Sequence, residues 1–228
     1  MPPPGKRAAA RLAVLLGPEG PPWAEPDFFD PLSTRQLTAT ICERFEEQAL
    51  VRYDSQPPAS FEGAGLYALY YVGDSVELYE PLRDYPIPVY VGSAQSHNSA
   101  TGRLTAAPRP LHGRVKDHWK SINGAADLDV TEFGVRLLRL PDVHIDLGEN
   151  GLRVNYTPVW NSVLNGFGSH EQGSSTRKSA KSAWDTVHGG RKRTFGDAEK
   201  HKADVLLRRA HELIASQVAA YRVRHGLT

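Results

Sequence analysis

The feature that most limits the possible folds is an uninterrupted aromatic and aliphatic run at Gly65–Val72. Aromatic and β-branched side chains are enriched in β-strands, and this run follows a loop marked by Pro57, Pro58 and Gly63. A second, shorter run at Pro88–Gly92 predicts another strand, which its glycine ends. The two segments therefore predict strands that can pair as antiparallel neighbours.

The rest of the chain carries helical and strand patterns in turn. Ser33 can cap a helix whose apolar residues recur every four positions along one face. Helical spacing also predicts helices over Leu111–Ile122 and Ile145–Tyr156, and a final helix from near Asp197. Before the second of these, the alternating segment Thr131–Leu140 predicts a third strand.

Together these elements predict an α+β, sandwich-like fold. We expect a small core with a short mixed or antiparallel central sheet, flanked by helices, with helical extensions at both ends. A chain of 228 residues is short enough for a single core. Residues 1–32 are rich in proline, alanine and glycine and are expected to form a flexible arm. Residues 33–228 are expected to form one domain, with its core at about 60–165.

Composition excludes several classes of protein. The chain is 40% hydrophobic and 23% charged, unlike disordered or collagen-like chains. Its single cysteine, Cys42, cannot close an internal disulfide, so we expect a reducing cytoplasm. No stretch approaches the roughly 18 apolar residues that a membrane helix needs, so no membrane span is expected. The net charge of +1 says little about partners, but residues 176–195 are locally basic.

Six polar side chains, each on a predicted element or at its end, are candidates for chemistry: Tyr67, Tyr90, Arg114, His118, Glu149 and Asn161. Taken singly, each has an ordinary interpretation, because strand tyrosines commonly pack and a lone helical histidine or glutamate commonly faces water. Arg114 and His118, however, lie one helical turn apart. Glu132, at the start of the third predicted strand, is the nearest competitor of Glu149, and we rank it below Glu149.

The order of these residues resembles the GIY-YIG nuclease superfamily. Its two eponymous tripeptides correspond to Gly65-Leu66-Tyr67 and Tyr90-Val91-Gly92, each changed at the middle residue. Downstream, the helix with Arg114 and His118 and the segment Pro158–Ser162 are similar to type II restriction endonucleases that cut the palindrome CCGCGG. The resemblance covers roughly residues 60–190.

The resemblance implies an endonuclease that hydrolyses phosphodiester bonds of double-stranded DNA. Tyr67 would act as the general base toward water, with neutral His118 assisting it. Tyr90 would orient the phosphate or the water. A tyrosine needs such help because its hydroxyl has an ordinary pKa near 10.

The same resemblance implies roles for the other three candidates. Arg114 would stabilise charge on the phosphate in the transition state, because its planar cation matches phosphate oxygens. Glu149 would hold Mg²⁺, for which Mn²⁺ can substitute, on the side of the leaving group. Asn161 would either bind a phosphate oxygen or hold Tyr67 in place.

Recognition of a GC-rich palindrome calls for basic side chains and a two-fold assembly. DNA-recognition loops and the last helix are expected within residues 166–228. The predicted DNA-binding residues are Arg103, Arg109, Arg177, Lys178, Lys181, Arg191, Lys192 and Arg193. A homodimer is expected, and a cognate DNA methyltransferase in the same system. The alternatives are a GIY-YIG nuclease of the repair or homing type, and a DNA-binding protein that no longer cuts.

Overall fold

The computed structural model describes residues 29–30, 33–96, 109–168, 180–191 and 198–227. Its helices are α1 (Thr34–Glu46), α2 (Pro110–Asn123), α3 (Asp142–Tyr156), α4 (Ala183–Val187) and α5 (Ala203–Arg224), and its strands are β1 (Val51–Arg52), β2 (Gly65–Tyr71), β3 (Tyr90–Ala94) and β4 (Phe133–Arg139). Internal contacts divide the chain into Met1–Ser33 and Thr34–Thr228, and all these elements belong to the second unit. Almost all of the arm predicted over 1–32 lies outside the described residues.

The four strands form one sheet in the order β1-β4-β2-β3, and all neighbours are antiparallel. The prediction of an α+β fold with a short central sheet flanked by helices is confirmed, and the sheet is antiparallel rather than mixed. In β2, Tyr67 pairs with Gly92 of β3 on one side and with Leu137 of β4 on the other. β3 is therefore an edge strand, next to the strand that carries Tyr67.

All residues of β2 are buried, which explains why its sequence is a continuous apolar run without alternation. One face of β2, with Leu66 and Tyr70, packs in a cluster with residues of α1 and α3. The other face, with Tyr67 and Leu69, packs in a second cluster with residues of α2 and α5. The sheet is thus a layer between two groups of helices, and Tyr67 points to the side of α2.

Two glycines that weaken the helical pattern of α3 have a packing reason. A Cβ at Gly148 would overlap the side chain of Leu66, and one at Gly151 would overlap Thr38. Both glycines therefore let α3 lie close to the sheet and to α1. Each glycine disfavours the helix by about 1 kcal/mol relative to alanine. The close packing requires glycine in spite of this cost.

Three predicted boundaries differ from the structure. The last helix begins at Ala203 and not near Asp197, which lies outside the described residues. The third strand begins at Phe133, because Asp129 caps a single 3-10 turn over Val130–Glu132. Ser33 has a φ of 50°, unlike the extended backbone typical of a helix cap.

Among the described residues, no helix is long and apolar enough to cross a bilayer.

The buried tyrosines predict a loss of stability at alkaline pH. Burial raises the pKa of Tyr53, Tyr67 and Tyr79 above the ordinary value of 10.0. Above pH about 10, the unfolded chain releases these phenolic protons while the folded chain keeps them, so each such tyrosine removes about 1.4 kcal/mol of stability per pH unit. We expect the melting temperature to fall above that pH, with tyrosinate absorbance appearing at the unfolding transition. Tyrosinate absorbance from these residues in the folded protein would contradict this prediction.

Candidate active site

The centre of the site is a hydrogen-bonded pair of buried side chains, Tyr67 and His118. The Tyr67 hydroxyl lies 2.6 Å from Nε2 of His118, and the two residues are 2% and 1% exposed. Tyr67 comes from the middle of the sheet and His118 from α2, 51 positions later in the chain. The pairing that the resemblance implies is therefore formed in this fold.

The environment of Tyr67 keeps its hydroxyl protonated. Burial raises its pKa well above the usual value and the neighbouring Tyr90 raises it further, while the positive charge of Arg114 lowers it. A phenolate is consequently rare near neutral pH. The hydroxyl can still take a proton from water if it passes its own proton to Nε2 of a neutral His118.

Aromatic rings enclose this pair. Tyr90 is half-buried, and its ring centre lies 6.1 Å from that of Tyr67 and 5.1 Å from that of His118. Phe167 stacks on the imidazole of His118, with centroids 4.6 Å apart and planes inclined by 20°. Burial also raises the pKa of Tyr90. The packing of Phe167 against His118 was not predicted from the sequence.

Both motif glycines are explained by space around the strands. A Cβ at Gly92 would overlap the hydroxyl of Tyr67, since these two residues are paired across β2 and β3. Gly65 has a φ of +154°, and a Cβ there would overlap the carbonyl oxygen of Leu138. Glycine at these two positions therefore allows the sheet to pair as it does and leaves room for the reactive hydroxyl.

Arg114 is a cation within electrostatic reach of both tyrosines. It lies on α2, one turn before His118, and its charge lowers the pKa of both Tyr67 and Tyr90. Among the parts of the chain that the structure describes, its guanidinium makes no hydrogen bond or ion pair. Its donors are available for an anionic ligand beside the two tyrosine hydroxyls.

Glu149 lies on α3 and contacts the edge strand β3 at Ser93. Its carboxylate is 17% exposed and is held by Arg153, at 2.6 Å, and by the hydroxyl of Ser93, at 2.6 Å. Its negative charge raises the pKa of Tyr67 and of Tyr90, so these groups are within electrostatic reach of each other. The described residues contain no group of three or more acidic, histidine or cysteine side chains arranged for a metal.

The competing carboxylate, Glu132, has a different position. It accepts hydrogen bonds from the hydroxyl of Tyr71, from the backbone of Asp74 and from Ser75. Burial acts to raise its pKa, but these hydrogen bonds outweigh burial and lower it. Glu132 fixes the loop that follows β2, and it is not brought to Tyr67 and His118.

The side chain of Asn161 forms its hydrogen bonds with the backbone of the edge strand β3, and not with Tyr67. Its amide oxygen accepts from the backbone N–H of Val91 at 2.8 Å, and its amide nitrogen donates to the carbonyl of Val91 at 2.9 Å. The backbone N–H of Trp160 donates to Val89 in the same way. This segment therefore covers the free edge of β3 and fixes the backbone beside Tyr90.

The structure tests few of the predicted DNA-binding residues. Five lie outside the described residues: Arg103, Arg177, Lys178, Lys192 and Arg193. Arg109 directly precedes α2, and its guanidinium donates to the hydroxyl of Ser60 at 2.6 Å. Lys181 is partly buried and precedes α4. DNA contacts by these residues remain predictions.

Arg191 requires a correction, because its guanidinium is turned into the protein. Its side chain is 9% exposed and forms an ion pair with Asp185 at 2.8 Å. All five of its N–H donors have protein acceptors, which are Asp185, Ser121 and the carbonyls of Gly166 and Phe167. A side chain so engaged has no donor left for DNA. Asp185, the only acid in the basic stretch 176–195, was the signal in the sequence for this ion pair.

The chain matches a known family model over most of its length. A family model described as the Eco29kI GIY-YIG domain matches residues 59–219, from the loop before β2 into α5. The matched region includes both tyrosines, Arg114, His118, Glu149 and Asn161. No curated protein matches the chain.

Proposed function

Since this chain belongs to the Eco29kI GIY-YIG family, a family of restriction-type nucleases, we propose that it is a type II restriction endonuclease of double-stranded DNA. Its target would be a short GC-rich palindrome, with CCGCGG as the first candidate. The observation that carries the proposal is the 2.6 Å contact between Tyr67 and His118 beside the available guanidinium of Arg114. These three residues would provide a general base and a cation within one site.

The proposed reaction is hydrolysis at phosphorus. Water attacks the phosphorus and gives its proton to the Tyr67 hydroxyl, which passes its own proton to Nε2 of His118. The bond between phosphorus and the 3′ oxygen breaks, and that oxygen takes up a proton from a second water molecule. Tyr90, whose ring borders both groups, orients the phosphate or the attacking water.

Arg114 would stabilise the extra negative charge that the phosphate gains in the transition state. A guanidinium that binds the phosphate in a partly buried site interacts with the developing charge more strongly than water does. Arg114 is half-buried on α2, one turn from His118, and its guanidinium would be ordered by the phosphate that it binds. We therefore assign Arg114 to the chemical step rather than to general DNA affinity.

Glu149 would be the protein ligand of a single Mg²⁺ ion, which would take the place of Arg153 at the carboxylate oxygen that Arg153 now contacts at 2.6 Å. One protein carboxylate suits this ion, which keeps several waters and takes phosphate oxygens as other ligands. When bound there, the ion would stabilise the charge on the departing 3′ oxygen. Ser93 would keep the carboxylate oriented by the hydrogen bond from its hydroxyl.

We expect Ser93→Ala to weaken the apparent affinity for Mg²⁺ by about 10-fold or more, because second-shell partners of a metal ligand have effects of this size. The measurement is the cleavage rate as a function of Mg²⁺ concentration, together with binding of Mn²⁺ to the protein. Ser96→Ala is the matched control, since Ser96 bonds Asp142 on the same helix, away from Glu149. Equal metal dependence of the two variants would contradict the assignment of Glu149.

A palindromic target implies a two-fold assembly of the enzyme. We propose a homodimer in which each active site cuts one strand, and a cognate DNA methyltransferase that protects the same sequence. Analytical ultracentrifugation with and without the target duplex tests the dimer. A protein that remains monomeric on its cleaved target would contradict it.

The experiment that tests the proposed function maps cleavage without assuming a site. DNA of mixed sequence is incubated with the protein and Mg²⁺, and the new ends are sequenced. Ends confined to one short palindrome support a restriction enzyme. Ends spread over many sequences favour a nuclease of the repair type, and binding without new ends favours a protein that no longer cuts.

A further inference from the structure

The guanidinium of Arg191 connects three separate segments behind the catalytic pair. It donates to the hydroxyl of Ser121 on α2 at 3.2 Å and to the carbonyl of Phe167 at 2.8 Å. It also pairs with Asp185 on α4 and lies over the ring of Trp184, 4.5 Å from the ring centre. One buried side chain thus joins α2, the loop at Phe167 and α4.

Two of these contacts lead directly to His118. Ser121 follows His118 by one turn of α2. The ring of Phe167 stacks on the imidazole at 4.6 Å and also contacts Tyr90, with ring centres 5.2 Å apart. The same guanidinium therefore binds both the backbone that carries the Phe167 ring and the turn of α2 that follows His118.

We propose that Arg191 is a positioning residue for DNA cleavage, acting through Phe167 to hold His118 against the hydroxyl of Tyr67. The proposal rests on the function proposed above. Proton transfer from Tyr67 to His118 needs a short, aligned contact, and misplacement by about 1 Å can reduce a rate about 100-fold. A lysine cannot replace this arginine, because an ammonium has three donors without the planar fork.

The test compares Arg191→Lys with the wild-type protein at saturating DNA under single-turnover conditions. We expect the rate to fall by about 10- to 100-fold, with an unchanged dissociation constant for DNA and an unchanged dependence of binding on salt. Phe167→Leu, which keeps an apolar side chain but removes the stacked ring, should produce the same type of defect. Tyr79→Phe removes a buried hydroxyl that has no part in the proposed reaction and keeps the ring, so it controls for loss of stability alone.

A second readout does not depend on cleavage. The imidazole NMR signals of His118 should shift in Arg191→Lys, because the contact between His118 and Tyr67 is altered while every aromatic ring around the imidazole is kept. Weaker DNA binding with a salt dependence reduced by about one unit would show instead that Arg191 contacts a phosphate. Normal cleavage or unshifted His118 signals in the folded Arg191→Lys protein would overturn the proposal. Absence of cleavage by the wild-type protein would reject the proposed function, and the NMR signals would still decide the role of Arg191.

Discussion

Tyr67→Phe is expected to lower the single-turnover rate of DNA cleavage by about 10²- to 10⁴-fold, the range of effects for general acid–base catalysis. The change removes only the hydroxyl that would accept the proton from water. Because the ring remains in the same place, we expect DNA affinity to stay near the wild-type value. The stability lost should be about 1 to 3 kcal/mol, because the change leaves one buried group, Nε2 of His118, without its partner.

The chain offers a matched control in a second buried tyrosine–histidine pair. The Tyr79 hydroxyl lies 2.5 Å from Nε2 of His188 and also accepts from the indole N–H of Trp160 at 2.8 Å. Tyr79→Phe removes the oxygen to which both partners are hydrogen-bonded. The stability lost should be about 1 to 3 kcal/mol for each buried group left without a hydrogen bond. Tyr79→Phe should therefore be the less stable variant and keep the wild-type cleavage rate.

These two variants distinguish chemistry from stability. Loss of cleavage in Tyr67→Phe, with cleavage retained in the less stable Tyr79→Phe, identifies Tyr67 as part of the reaction. Comparable rates for Tyr67→Phe and the wild-type protein, measured on folded samples, would rule out Tyr67 as the general base.

Arg114→Ala should reduce the cleavage rate at saturating DNA by about 10²- to 10³-fold, the effect of removing one donor to a developing anion. Arg114→Lys keeps the charge but loses the planar fork, so we expect an intermediate rate. The rate must be measured at saturating DNA, because this separates the chemical step from binding.

Arg109→Ala is the control for Arg114, since it removes a second guanidinium near the start of the same helix. A phosphate contact by Arg109 would change affinity and reduce the salt dependence of binding by about one unit, without changing the rate at saturation. If Arg114→Ala behaved in this way too, Arg114 would be a DNA-positioning residue and not a stabiliser of the transition state.

The secondary structure was predictable where the signal is local. The apolar run of β2 and the helical spacing of α2 and α3 depend on side chains a few positions apart, and these elements are confirmed. Helix starts were less predictable. The start of α5 has no side-chain cap, so the sequence around Lys202 carries no capping signal.

The site depends on pairs that are distant in sequence, and periodicity does not reveal them. Tyr67 and His118 were paired by the resemblance to a family. The two hydrogen bonds between Asn161 and Val91 span 70 positions and connect a side chain to backbone, so no residue type indicated them. Arg191 was assigned to DNA from its basic surroundings, but charge in a sequence does not reveal burial.

The central claim is metal-dependent cleavage of DNA at a defined site by this chain. The most direct measurement is the time course of cleavage of a plasmid with one CCGCGG sequence, with Mg²⁺ and with EDTA, beside the same plasmid with that sequence altered. We expect linear DNA with ends inside CCGCGG only when Mg²⁺ and the intact sequence are both present. Folded protein that leaves this plasmid intact, or that cuts both plasmids alike, would contradict the account.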